Sequence, residues 1–317
     1  MHATNTHAVP RVHVVAVATC TQPELAYLLI SAHRAGVTPV LLGLGDARLS
    51  FVAREYSVKL EHVRKWLHHG LQVANTLEPH DLVVHVDAFD VVLQGGADAI
   101  RQGWQSAGSP PVLVSVEKTL FPRTDLRPVF DAANPDTPYR YLNSGTYMGT
   151  AQALLDLLQT PEAQGKGDDQ GKLQAAWAAH RHRLGIQLDT KHRVFYVLML
   201  DTLRQALAST APIVHFNGRP SRTILKQYFQ AKFPDALQPD VDTTFWRDKA
   251  KALAAAAVSA SASSATVLTQ KMLIATAPGT IGLATAVAVL VVACIVLAVL
   301  LAATQPKAQP AARRRWT

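Results

Sequence analysis

Two carboxylates three residues apart, Asp87 and Asp90, close the run Asp81-Leu82-Val83-Val84-His85-Val86-Asp87-Ala88-Phe89-Asp90-Val91-Val92. Apolar, β-branched runs of this kind read as buried strands of a parallel sheet, and ligands gather at the carboxyl ends of such strands. Paired carboxylates there make a hard, oxygen-rich site suited to Mg²⁺ or Mn²⁺, an ion that commonly carries nucleotide phosphates. Asp is also a common turn residue, so the same pair could simply cap its own loop. A third ligand has to come from elsewhere, because two carboxylates leave Mn²⁺ mostly hydrated. His215 is the candidate. It follows Ala211-Pro212-Ile213-Val214, opens His215-Phe216-Asn217-Gly218, and has Arg219 and Arg222 just beyond it. A lone histidine there is as readily a core or loop residue, but an Asn-Gly turn followed by two arginines is an anion-receiving environment. Asp168 and Asp169 sit in the glycine-flanked stretch Gln164 to Gly171, which on composition alone is a solvated turn. Asn143-Ser144-Gly145 could bring an amide and a bare backbone close to a ligand, or could be a turn.

These residues need a scaffold, and the pattern supplies one. Val12 to Thr19 reads as a first buried strand, Pro23 to Ala35 as a helix ended by Gly36, and Pro39 to Leu44 as a second strand. Leu60 to Leu77 has helical spacing, interrupted by Gly70. Leu82 to Val86, Val112 to Val116 and Tyr141 to Gly149 read as further strands. Beyond them, Gly171 to His182 and Val197 to Ala208 read as helices and Gln187 to Asp189 as a short strand. This β-α-β-α-β alternation predicts an α/β fold, a Rossmann-like, mostly parallel sheet with helices on both faces. It argues against a jelly roll. That matters because His85-Val86-Asp87 also matches the His-x-Asp pattern of Fe(II)/2-oxoglutarate oxygenases, with His180, His182, His192 or His215 as a distal ligand.

At 317 residues the chain is long enough for one large α/β domain or two small ones. The formal charge of +8 is spread along it, with no basic stripe of the kind nucleic-acid binding requires in the first 245 residues. Anionic nucleotide sugars or a membrane surface account for it more simply. Cys20 and Cys294 are the two cysteines, and with Cys294 inside an apolar span no disulfide framework is expected. Hydrophobic content of 49% is high, and the C-terminus explains it: Ile281 to Ala303 runs 23 residues without a charge. At about 1.5 Å per residue it is long enough to cross a hydrocarbon core of about 30 Å. The expected organisation is an N-terminal tail (1–11), a catalytic domain (12–245), an Ala/Ser-rich linker (246–279), a transmembrane helix (280–303) and a basic tail (304–317). A single C-terminal span with no signal peptide looks tail-anchored, leaving the domain in the cytosol, whereas the basic tail favours a cytosolic C-terminus. An endomembrane location is expected, with the membrane face open.

The order of the motifs resembles one family. Val-Ala-Val-Ala-Thr at 15–19, Leu-Gly-Leu-Gly at 42–45, Lys59, His-Val-Asp-Ala-Phe-Asp-Val at 85–91, Leu-Asn-Ser-Gly at 142–145, Asp-Asp-Gln at 168–170, Leu-Asp at 188–189 and His-Phe-Asn-Gly at 215–218 follow one another as in the glycosyltransferase domain of the procollagen lysyl hydroxylase/glucosyltransferases. That domain is of GT-A type, and the kinetoplastid base J glucosyltransferase is also similar to it. The resemblance covers Val12 to Pro234. It implies a Mn²⁺ or Mg²⁺ ion held by Asp87, Asp90 and His215, and Phe89 stacked on the uracil of a UDP-sugar. Thr19 would lie beside the base, Leu44-Gly45 near the nucleotide, and Lys59 and Asn217, with Gly218 and Arg222, toward the diphosphate. Asp168 and Asp169 would sit at the sugar and a hydroxyl acceptor. The chain departs from the family's pattern at Phe89, where a tyrosine is usual, and at Phe121, where some members have a tryptophan proposed to gate the sugar. Arg219 is an extra residue after Asn217-Gly218, and the hydroxylase portion is missing. The implied activity is transfer of a glucose or galactose from a UDP-sugar; a membrane-tethered adaptor that kept the fold and lost activity is the alternative.

Overall fold

In the computed structural model, β-branched runs become strands wherever both faces are covered. The structure describes residues 9–19, 22, 24–44, 46 and 55–236. The first half alternates β1 (Val12–Val17), α1 (Leu25–Arg34), β2 (Val40–Leu42), α2 (Val58–His68), β3 (Leu82–Asp87), β4 (Val91–Leu93), α3 (Ala97–Ser106) and β5 (Val112–Glu117). After it come α4 (Arg127–Ala133), β6 (Tyr141–Thr150), α5 (Ala151–Leu158), α6 (Asp169–Leu184), β7 (Ile186–Leu188), β8 (Phe195–Leu198), α7 (Leu203–Ala208), β9 (Ile213–Phe216) and α8 (Arg219–Lys232). Six strands form one sheet in the order β2-β1-β3-β6-β5-β7, and β4-β9-β8 form a second.

The large sheet is mixed rather than simply mostly parallel. Strands β2, β1 and β3 pair in parallel and so do β5 and β7, whereas β6 runs antiparallel to both β3 and β5. The connection at 118–140 leaves β5 and re-enters at the same end of the sheet, so the neighbouring strand has to run back. Helices α2, α5 and α6 pack on this sheet through Leu60, Val63, Leu67, Leu154, Leu155 and Trp177. Trp177 stacks on Phe130 at 4.2 Å with an interplanar angle of 6°, which pins α6 and with it the aspartates at its start. The small sheet packs with α1 and α8 through Tyr27, Ile30, Val92, Tyr196, Phe216, Tyr228 and Phe229.

Two elements differ from expectation. The helix expected over Val197 to Ala208 is instead β8 followed by α7. Phe195-Tyr196-Val197-Leu198 is buried throughout and pairs in parallel with β9, and burial on both faces favours a strand for such residues. The helix starts only where Thr202 and Gln205 form a reciprocal capping box. The helix expected over Leu60 to Leu77 is regular to His68 and then widens into a π-turn at His69–Val73. There, a Cβ on Gly70 would lie 2.7 Å from Leu77 Cδ1, so the chain closes back on itself. Among the described residues no helix is long and apolar enough to cross a membrane. The linker at 246–279, the span at 280–303 and the tail at 304–317 all lie outside the described residues, as does the end of the expected domain at 237–245.

Candidate metal and donor site

The acidic run is not one strand. It breaks at a bend over Ala88–Asp90, so that Asp87 ends β3 in the large sheet while Asp90 precedes β4 in the small one. Strand β4 pairs antiparallel with β9, with Val91 opposite His215, and Asp90 accepts the Phe216 N–H through its backbone oxygen at 2.8 Å. Local sequence gives no sign of this pairing, yet it brings the histidine to the aspartates. Nε2 of His215 lies 3.4 Å from Asp90 Oδ1 and 3.9 Å from Asp87 Oδ2. One ligand atom from each residue falls within 4.8 Å of the others.

The imidazole is oriented from behind. Asn143 Oδ1 accepts the Gly145 N–H at 2.9 Å and lies 3.1 Å from His215 Nδ1. Accepting from a backbone amide identifies that atom as the oxygen, so Nδ1 carries the hydrogen, and in the neutral imidazole Nε2 is the lone-pair nitrogen that faces the two carboxylates. Nε2 is buried and makes no well-formed hydrogen bond, which suits a metal ligand. Burial pushes the His215 pKa down, but Asp90 and Asp87 more than offset this and the net direction is up. Asp90 shows the mirror effect: burial would raise it, while His215, Arg222 and Lys59 hold it below the usual carboxylate range. Gly145 makes room for the cluster. A Cβ there would stand 2.1 Å from His215 Cε1 and 2.9 Å from Asp87 Oδ2. Two carboxylate oxygens and one imidazole nitrogen on one side of a point fit a six-coordinate divalent cation with positions left open.

Behind this cluster lies a residue that the sequence reading passed over, Glu117 at the end of β5. It is 1% exposed and accepts from Asn217 Nδ2 at 2.7 Å, Gln170 Nε2 at 2.9 Å and Asn143 Nδ2 at 3.4 Å. Burial pushes its pKa up to about 7 against those three amide donors. It closes an apolar run just as Asp87 does, and that shared pattern was the available signal. Gln170 also accepts the Ser144 N–H and donates to the Phe121 carbonyl at 2.6 Å. Those bonds fix the loop that holds Phe121 at 53% exposure.

The remaining predicted residues divide. Asp168 is the N-cap of α6, its Oδ1 accepting the Gly171 N–H at 2.8 Å, and burial raises its pKa. Asp169 is buried, and the ammonium of Lys59 lies 2.8 Å from both Asp169 Oδ2 and Asp87 Oδ1. The pair is therefore not a solvated turn, and Lys59 is held between two carboxylates. Burial disfavours charge on Lys59, but those partners outweigh it and its pKa is raised. Phe89 lies in the bend between the two aspartates at 9% exposure. The register Val17 to Asp87 places Thr19, half-buried, at the same sheet end. Asn217 is turned toward Glu117, Gly218 caps α8 with φ 82°, a conformation glycine adopts without strain, and Arg222 is exposed in the first turns of α8. Gly45 lies outside the described residues. His85, the histidine of the oxygenase pattern, is buried with its ring stacked on Tyr147 at 4.6 Å and takes no part in the cluster.

Residues 8–219 match the PLOD GT domain family, and the chain belongs to that family. It is 26% identical over 202 residues to the multifunctional procollagen lysine hydroxylase and glycosyltransferase of Caenorhabditis elegans, covering 61% of this chain and 26% of that protein. It is likewise 26% identical over 256 residues to the human multifunctional procollagen lysine hydroxylase and glycosyltransferase LH3, covering 76% of this chain and 34% of that one. The match thus spans about a quarter to a third of these relatives' length. Among solved structures it is similar to the WbbM bifunctional glycosyltransferase (11% identity, TM-score 0.42, 77% of this chain and 53% of that one). It is also similar to mouse xyloside xylosyltransferase 1 (13% identity, TM-score 0.37, 66% and 98%).

Proposed function

We propose that the chain is a divalent-metal-dependent glycosyltransferase that moves a hexose, glucose or galactose, from a UDP-sugar to an acceptor hydroxyl. One observation carries this reading: the convergence of Asp87, Asp90 and the bare Nε2 of His215. These three would hold Mn²⁺, or Mg²⁺, and such an ion supplies charge neutralisation to a departing nucleoside diphosphate. Imidazole in the donor set favours Mn²⁺ of the two. The N-terminus of α8 and the exposed Arg222 give the diphosphate a second positive environment. Phe89, between the two acidic ligands, is the platform for the base, and Thr19 borders it. Asp168 is the group that orients the acceptor hydroxyl and takes its proton, because burial raises its pKa and so strengthens it as a base. Asp169 serves through its ion pair with Lys59. Glu117 holds Asn143, Asn217 and Gln170 in register behind the site.

Anchoring of a domain comprising residues 12–245 to an endomembrane through the 280–303 segment completes the proposal. The rival reading, an inactive adaptor on the same fold, separates by calorimetry. Titration of UDP into the purified chain is expected to give a saturable heat that requires Mn²⁺ and is lost in Asp90→Asn. No binding of UDP with Mn²⁺ present overturns the enzyme reading and favours the adaptor.

A further inference from the structure

Lys59 divides the two oxygens of Asp87 between two tasks. Its ammonium lies 2.8 Å from Oδ1, while Oδ2 faces His215 Nε2 at 3.9 Å. The same ammonium is anchored on its far side by Asp169 Oδ2 at 2.8 Å. The Lys59 side chain is only 12% exposed and that of Asp169 only 6%, so the pairing is enclosed rather than a mobile surface contact. Asp169 in turn belongs to the first turn of α6, which Asp168 caps and Trp177 pins to the core. Lys59 is thus held in place by a group other than the metal ligand it touches.

From this geometry we infer that Lys59 is a positioning residue that selects the metal, by reserving Asp87 Oδ1 and so limiting Asp87 to a single donor oxygen. The inference rests on the metal reading above and goes one step further, to which ion the site accepts. Ca²⁺ takes six to eight oxygen ligands and readily accepts both oxygens of a carboxylate, whereas Mg²⁺ demands a compact octahedron, and Mn²⁺ accepts the same six-coordinate arrangement. With Oδ1 engaged by an ammonium, bidentate use of Asp87 would weaken that ion pair, so the chain most readily offers one oxygen from Asp87 alongside Asp90 and His215. That seats one face of an octahedron and serves Ca²⁺, which favours more protein oxygens, less well than Mn²⁺. Removing Lys59 frees Oδ1. It also removes a positive charge near the ion, but that change favours every divalent cation alike, so the ratio of two affinities isolates the geometric effect.

The test is the ratio of dissociation constants for Ca²⁺ and Mn²⁺ in the full chain, measured by calorimetry after chelator treatment. The variants are Lys59→Met and the double variant Lys59→Met/Asp169→Asn. The second spares Asp169 the burial of an unpaired charge and keeps the test open if the single variant does not fold. The wild-type chain is expected to prefer Mn²⁺, and the variants to lose about tenfold or more of that preference, the scale on which groups behind a metal ligand act. Mn²⁺ and Ca²⁺ affinities that change together, leaving the ratio intact in the folded variant, would overturn the inference while leaving the metal site standing. A wild-type chain that binds no Mn²⁺ would overturn both.

Discussion

Replacing Gly145 with alanine is the smallest perturbation that should dismantle the site. The added Cβ would stand 2.1 Å from His215 Cε1, 2.8 Å from Nδ1 and 2.9 Å from Asp87 Oδ2, where ordinary contact begins at 3.4 Å. The imidazole must therefore give way by 1.3 Å. It has little room to do so: His215 is 2% exposed, β9 is paired on both sides, and Nδ1–H is tied to Asn143. Ligand distances in metal sites hold to within about 0.2 Å, so a ring displaced this far would no longer reach an ion held by the two aspartates. Mn²⁺ affinity is expected to fall by about 100-fold or more, beyond the usual effect of disturbing a group behind the ligand. The overpacked strand should also lose about 1–3 kcal/mol of stability. Calorimetric titration of Mn²⁺ gives the first quantity and chemical denaturation of the metal-free chain the second. A folded Gly145→Ala variant that binds Mn²⁺ within about twofold of the wild type, inside the scatter of single-contact effects, would refute the assignment of His215 as a ligand.

Other expectations follow from the same geometry. Asn143→Ala removes the oxygen that fixes the His215 tautomer, so Mn²⁺ affinity should drop by roughly 10–100-fold; an unchanged affinity measured by calorimetry would mean the imidazole needs no such support. Glu117, pushed up to about 7 by burial from an ordinary 4.5, binds its proton more tightly folded than unfolded. Its contribution is therefore complete below pH 4.5 and is lost as pH rises through 7, a change of about 3 kcal/mol from a pKa shift of this size. Glu117→Gln should flatten that part of the stability profile in denaturant titrations of the metal-free chain, and a profile as steep as the wild type's would reassign the titration to another group.

Much of this site could be read from the sequence because its parts end strands. The β-branched runs at 12–17, 82–86 and 112–116 mark strands of the large sheet, and the carboxylates that close the second run mark the first candidate ligand. What stayed hidden depends on distant pairings. The bend at Ala88–Asp90 and the tiny strand β4 are too short to carry a periodic signal, yet β4 meets β9 and decides where His215 goes. The contact of Lys59 with Asp169 spans 110 positions of sequence and joins two helices whose local patterns say nothing of each other. Glu117 was legible in principle, since it closes Val112–Val116 as Asp87 closes its own run, but a lone carboxylate after a strand does not announce three amide partners. The helix expected over Val197–Ala208 takes in the end of β8 because a short apolar run fits a buried strand or a helix equally well; only its place beside β9 decides.

In the proposed function, Asp87, Asp90 and His215 hold a divalent ion that enables sugar transfer from a UDP-sugar. UDP release from a panel of UDP-hexoses by the full chain, with Mn²⁺ or with chelator, tests it most directly, with Asp87→Asn and Asp90→Asn beside the wild type. Release is expected to require Mn²⁺, to favour one hexose, and to fall by at least about 100-fold in both variants, the scale expected when a group made essential by the transition state is removed. Release that persists in the variants or without metal would contradict it.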